Sequence, residues 1–167
     1  GPAVFNAITH AQLLDTIEQF IGPEIYSNPI QHVRIKPPEH VLPQDKRDSG
    51  LVGRTFWHQD AGVVTEEADD SDMLTVWIPI TDATKENGGL TVEPGSKHTG
   101  LHRHCFTSKS PPGLHKNHMA SQQVPVPAKA GDVIFMHKLT KHASLTNKSV
   151  DEVRWSFDLR YSPTEQN

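Results

Sequence analysis

"VRWSFDLRY", residues 153–161, alternates apolar and polar side chains from end to end. In an extended chain successive side chains point to opposite sides. Val153, Trp155, Phe157, Leu159 and Tyr161 therefore share one face, and Arg154, Ser156, Asp158 and Arg160 share the other. That period of two is the pattern of a β-strand. Upstream, "IQHVRIKPP" (30–38) alternates as well until Pro37-Pro38 ends it, "DMLTVWIPI" (72–80) is rich in β-formers, and "GDVIFMH" (131–137) reads as a further strand. A short "LTV" strand (90–92) is bracketed by the turn signals "NGG" (87–89) and "EPGS" (93–96). One segment breaks the pattern. In "NAITHAQLLDTIEQFIG" (6–22), Leu13, Leu14, Ile17, Phe20 and Ile21 fall at helical spacing and Gly22-Pro23 supplies a stop. The spacing predicts one helix over 7–21. A single helix followed by many short strands predicts a mainly β fold, a sandwich or jelly-roll barrel over 30–161.

The 167 residues suit one domain, long enough to bury about 70% of the unfolded chain's surface. The net charge of −4 gives no case for nucleic-acid binding. Cys105 is the sole cysteine, so no internal disulfide can form, and a reducing, cytoplasmic setting is expected. No apolar run approaches the ~18 residues of a membrane span, and no signal peptide is visible. Gly1-Pro2 reads as a remnant of tag removal. Two stretches have lopsided charge. "EEADDSD" (66–72) packs five carboxylates, whereas 97–129 holds four Lys, one Arg and five His with no acidic residue. Both are expected as solvated loops, the second also as a cover that attracts an anionic substrate.

The chemistry concentrates at "WHQDAG" (57–62). On a strand His58 and Asp60 point the same way and can reach one ion, while Gln59 faces oppositely. The pair alone is weak evidence. Eleven His and eleven Asp in this length give roughly 0.7 His-x-Asp by chance. A second imidazole from a distant strand completes a two-His, one-carboxylate facial set, which leaves half of an Fe(II) coordination sphere open. His137 and His142 are both candidates. Arg154 then offers a planar, two-pronged partner for a carboxylate. The histidines at 98, 102, 104, 115 and 118 do not have the spacing of a structural zinc site.

Five pieces in order, "IGPEI…VRIKPP", "WHQDA", "MLTVWIPITDATKENGGLTVEPGSKHTG", "GDVIFMH" and "HASLTN…VR", make the chain resemble the phytanoyl-CoA dioxygenase family of Fe(II)/2-oxoglutarate-dependent oxygenases. The resemblance runs from about residue 13 to 161. It implies a double-stranded β-helix with the metal near one open end, and Fe(II), 2-oxoglutarate and O2 as cofactor and co-substrates. It selects His142 over His137 and makes His58, Asp60 and His142 the catalytic metal ligands. It places Arg154 on the distal carboxylate of 2-oxoglutarate, Ser144 and Trp77 in the co-substrate pocket, and His32 there more loosely. Arg160 shares Arg154's face but lies late in the pattern. The implied reaction hydroxylates an unactivated C–H of a small organic substrate, anionic or acyl-CoA-like, and releases succinate and CO2. The carboxylate at Asp60 favours hydroxylation over halogenation. Family members run well past both ends, so the chain reads as trimmed, and an upstream basic residue that some members use on 2-oxoglutarate is expected to be missing. The rivals are a non-catalytic metal-binding jelly-roll module and a cupin-type metalloenzyme that does not use 2-oxoglutarate. Arg154 speaks against the latter, because without a dicarboxylate it lacks a partner.

Overall fold

A computed structural model of the chain describes residues 1–64, 71–107, 110–119 and 121–164. Most of the acidic run therefore lies outside the described residues. The chain is mainly β, as the alternating segments predicted. In one sheet, β1 (Ile25–Ser27) and β2 (His32–Lys36) both pair with β11 (Arg154–Pro163), which pairs in turn with β4 (Leu74–Pro79) and through it β9 (Ile134–His137). The second sheet runs β3 (Thr55–His58), β10 (His142–Ser144), β5 (Leu90–Val92), β8 (Val124–Val126). A separate hairpin joins β6 (His104–Thr107) and β7 (Ser110–Leu114). All these pairings are antiparallel.

The single helix predicted over 7–21 is two. α1 spans Pro2–Ile8 and α2 spans Ala11–Ile21. The Thr9 hydroxyl donates back to Phe5 O at 2.9 Å, and His10 turns extended at φ −63°, ψ 128°. A threonine that bonds its own preceding turn ends a helix readily. α2 stops at Gly22, whose φ of +87° suits a residue without Cβ.

The two sheets face each other across a narrow interior. Trp77 and Met136 of the first pack on Leu90 and Val92 of the second. The apolar face of β11 points the other way. Leu159 and Tyr161 join Leu74 and Val76 beneath Leu13 and Ile17 of α2, and Trp155 remains 41% exposed. On the polar face of the strand, Arg154, Ser156 and Arg160 are buried between the sheets and Asp158 is partly buried. β2 repeats this inversion, with Val33 and Ile35 exposed and Lys36 buried. Burying a row of charges costs free energy unless each finds a partner. That requirement marks the interior as the place where chemistry is done. No helix among the described residues is long and apolar enough to cross a membrane.

Candidate active site

His58 ends β3 and His142 begins β10, and the two are directly opposed across the ladder. Asp60 is not on the strand, as the sequence had suggested, but opens a short 3-10 turn at Asp60–Val63. Gln59 keeps extended backbone (φ −112°, ψ 139°), so the alternation still carries Asp60 to the same side as His58. His58 Nε2 lies 3.8 Å from Asp60 Oδ1, and His142 Nε2 lies 3.9 Å from Asp60 Oδ2. One ligand atom from each of the three falls within 4.8 Å of the others, the one such group among the described residues. His137, the other sequence candidate, is exposed, with Nδ1 accepting from Leu139 N. The basic-segment histidines form no second group of this kind; His102 and His118 simply stack at 4.7 Å.

Both imidazoles are set by the backbone. Nδ1 of His58 is 2.8 Å from Phe56 O, and Nδ1 of His142 is 2.9 Å from Thr140 O. A carbonyl can only accept, so each Nδ1 carries the proton and each Nε2 lone pair faces Asp60. Burial first, and then the nearby His142 ring, push the His58 imidazole down to about 3. It is therefore a neutral donor at physiological pH. Burial works against the charge of Asp60, but His142, Arg160, His58 and Thr75 outweigh it and hold the carboxyl below the ordinary range.

Beside this group the inner chamber is lined by Trp77, Ser144 and Arg154. The Arg154 guanidinium sits 5.5 Å over the Trp77 ring. Its Nη1 donates to Ser156 Oγ at 2.5 Å, while Nε and Nη2 are buried with no partner among the described residues. Burial pushes its pKa down to about 10. Two orphaned, forked donors in a dry site are costly, and a carboxylate would satisfy both at once.

A buried lysine that sequence reasoning did not single out stands beside Ser144. Lys36, buried to 2% exposure, donates from Nζ to Ser144 Oγ at 2.6 Å and Leu145 O at 2.9 Å. Its stem passes over Gly88, where a Cβ would come 2.6 Å from Lys36 Cδ. The alternation of β2 could have revealed it, since His32, Arg34 and Lys36 occupy one face and that face turns inward. His32 goes elsewhere. It lies opposite Asp158 in the ladder, its Nδ1 3.4 Å from Arg160 Nη1, rather than beside Arg154.

Sequence reasoning also missed Gln59. Fully buried, its amide donates to Gly100 O and Leu139 O and accepts from His102 N, each at 2.8 Å. Its own N–H donates to His104 Nε2 at 2.9 Å. The motif's middle residue thus ties the basic segment to the metal turn. A cleft of about 470 Å³ lies between Trp57, Ala143 and Leu114 and shares Thr55, Ala143 and Ser144 with the inner chamber.

The model of the phytanoyl-CoA dioxygenase family matches residues 2–154. The chain belongs to the phytanoyl-CoA dioxygenase family. A curated relative, the 1-deoxypentalenic acid 11-beta-hydroxylase of Streptomyces arenae, is 26% identical over 95% of this chain and 56% of its own length. Phytanoyl-CoA dioxygenase domain-containing protein 1 of Rattus norvegicus is 28% identical over 87% of this chain and 48% of its own. The chain thus spans about half the length of these curated relatives. Among solved structures, the epimerase SnoN, in complex with Fe3+, alpha ketoglutarate and nogalamycin RO, superposes with a TM-score of 0.72. It is 25% identical over 98% of this chain and 59% of that one. Family members use Fe(II), 2-oxoglutarate and O2. The residues here fit those groups, because the His-Asp-His set offers three ligand atoms to one ion and Arg154 offers two unused donors to a carboxylate.

Proposed function

We propose that residues 1–167 form one oxygenase domain, an Fe(II)- and 2-oxoglutarate-dependent hydroxylase of a small organic substrate. One observation carries the reading: the unpartnered Nε and Nη2 of buried Arg154 stand in the same chamber as the His-Asp-His group. A metal site alone would not need that guanidinium.

In this reading His58, Asp60 and His142 would hold Fe(II), each offering one ligand atom. When bound there with 2-oxoglutarate and O2, Fe(II) would supply the oxidising power for hydroxylating the substrate C–H, with succinate and CO2 as the co-products. The protein's part is placement. Phe56 O and Thr140 O hold the imidazoles in the tautomer that presents Nε2. Arg154 grips the far carboxylate of 2-oxoglutarate with its planar fork, and Lys36, steadied by Ser144, adds a second cation. Trp77 walls the pocket and backs the guanidinium. The acid-free 97–129 segment, tethered through Gln59, favours an anionic primary substrate, a carboxylate or an acyl-CoA.

The test is an anaerobic Fe(II) titration followed by a succinate assay against panels of acyl-CoAs, free acids and amino acids. A visible charge-transfer band that appears only with 2-oxoglutarate, and turnover lost in His58→Ala and Asp60→Ala, supports the reading. Metal-dependent stability without succinate points to a non-catalytic module. Turnover that ignores 2-oxoglutarate points to a cupin-type enzyme.

A further inference from the structure

The three ligand residues all come from one side of the barrel, from β3, the turn after it, and β10. What grips the carboxylate comes from the other. Arg160 Nη2 donates to Asp60 Oδ1 at 2.5 Å, and Thr75 Oγ1 donates to Asp60 Oδ2 at 2.5 Å. Arg160 and Thr75 are directly opposed partners on β11 and β4, so a single cross-strand pair takes both oxygens. Arg160 is itself held in place. Its backbone N–H donates to Gln31 Oε1 at 3.0 Å, and its Nη1 donates to Ile30 O at 3.3 Å. It is buried to 4% exposure, Thr75 to 2% and Asp60 to 1%.

We propose that Arg160 and Thr75 are positioning residues that clamp the metal-binding carboxylate from the opposite sheet and set the affinity of the site for a divalent cation. This rests on the assignment of His58, Asp60 and His142 as the ligands. Asp60 sits on a turn rather than in a ladder, so its backbone alone does not hold the carboxylate in one rotamer. Two donors from a rigid sheet do so before any ion arrives. A carboxylate oxygen has room for both a donor and a metal, because each carries two acceptor sites. The clamp also divides the labour of two arginines six residues apart on one strand. Arg154 keeps its fork free for a co-substrate, while Arg160 neutralises the acidic ligand.

The experiment measures Mn2+ affinity by the EPR signal of the free ion, without 2-oxoglutarate or turnover. The full chain is compared with Arg160→Met, Arg160→Lys, Thr75→Val and His58→Ala. Loss of a partner that orients a metal ligand weakens binding by roughly 10–100-fold. Arg160→Met is expected in that range. Arg160→Lys should recover part of the affinity, since it restores a cation at the same place, and Thr75→Val should show a smaller, several-fold loss. Packing alone would make Met and Lys equivalent. If Met and Lys bind Mn2+ alike, or if Met binds as tightly as the unaltered chain, the clamp is refuted. Should Arg160→Met not fold, Thr75→Val decides, and unchanged affinity there refutes it. His58→Ala separates the two readings: wild-type Mn2+ affinity in that variant overturns the ligand assignment itself, whatever Arg160 does.

Discussion

Lys36 and Arg154 are cross-strand partners on β2 and β11, two buried basic side chains, neither bonded to a carboxylate among the described residues. The arrangement is unfavourable as it stands. Between the sheets Arg34, Lys36, Arg154 and Arg160 meet two carboxylates, Asp60, paired with Arg160, and Asp158, paired with Arg34. The interior thus carries two more cations than carboxylates among these residues. A dicarboxylate supplies the missing charge and gives the orphaned donors of Arg154 their acceptors.

Removal of Arg154 should therefore be felt by the dicarboxylate and not by the metal. Charge-assisted hydrogen bonds contribute roughly 1.5–3 kcal/mol each, so loss of two raises the 2-oxoglutarate requirement by roughly 100- to 10,000-fold. Arg154→Ala should show this in the KM for 2-oxoglutarate, with Mn2+ affinity nearly unchanged. Arg154→Lys should recover little, because an ammonium cannot present a fork. An equal loss of metal affinity would count against the assignment.

Lys36 predicts a pH dependence of two signs. Burial first, and then the charge of Arg154, bring its pKa well below the ordinary lysine value. The unfolded chain keeps that proton to higher pH than the folded one. Stability of the protein without 2-oxoglutarate should accordingly rise with pH between the two values. Binding of the dianion favours the charged lysine, so 2-oxoglutarate affinity should fall as pH rises through the lowered pKa. Lys36→Met should flatten both profiles, read by thermal melts and by 2-oxoglutarate titration across neutral to alkaline pH.

Ser144→Ala removes the hydroxyl that accepts from Lys36 Nζ and from Thr55 N at 3.1 Å. The lysine keeps Leu145 O as a partner. The rise in 2-oxoglutarate requirement should be roughly 10–100-fold, milder than for Arg154→Ala. A Ser144→Ala effect larger than that of Arg154→Ala would reverse the order of importance argued here.

Gly62→Ala should damage the metal turn by collision. A Cβ there would stand 2.0 Å from the His104 ring, the same ring that accepts from Gln59 N. Overpacking of this kind costs roughly 1–3 kcal/mol. In a double-mutant cycle with His104→Ala, which empties the collision volume, the two penalties should fall short of additive. Additive penalties would remove the contact from the explanation.

Ile17→Ala separates fold from function. Ile17 is fully buried under α2 against the outer face of β4 and β11. Its truncation should cost roughly 2–5 kcal/mol of stability. The Mn2+ affinity of the folded fraction should stay the same, since the inner face of those strands is untouched.

The sequence by itself determined the longer strands and the split of β11 into an apolar and a polar face, and its His-x-Asp motif, together with the family resemblance, pointed to His58, Asp60 and His142. These depend on the period of two along a strand and on motifs a few residues long, and both are local properties. It did not determine which face of β11 was the interior. Alternation separates the two faces without saying which is covered by what: α2 takes the apolar face and the barrel takes the charges. Nor could it foresee Lys36 beside Ser144, Arg160 on Asp60, or Gln59 spanning to Gly100 and Leu139. Those contacts join residues 41 to 108 positions apart. Only the closure of two sheets fixes which of several equally basic side chains meets which acceptor, because the cost of burying a charge depends on its neighbours in space.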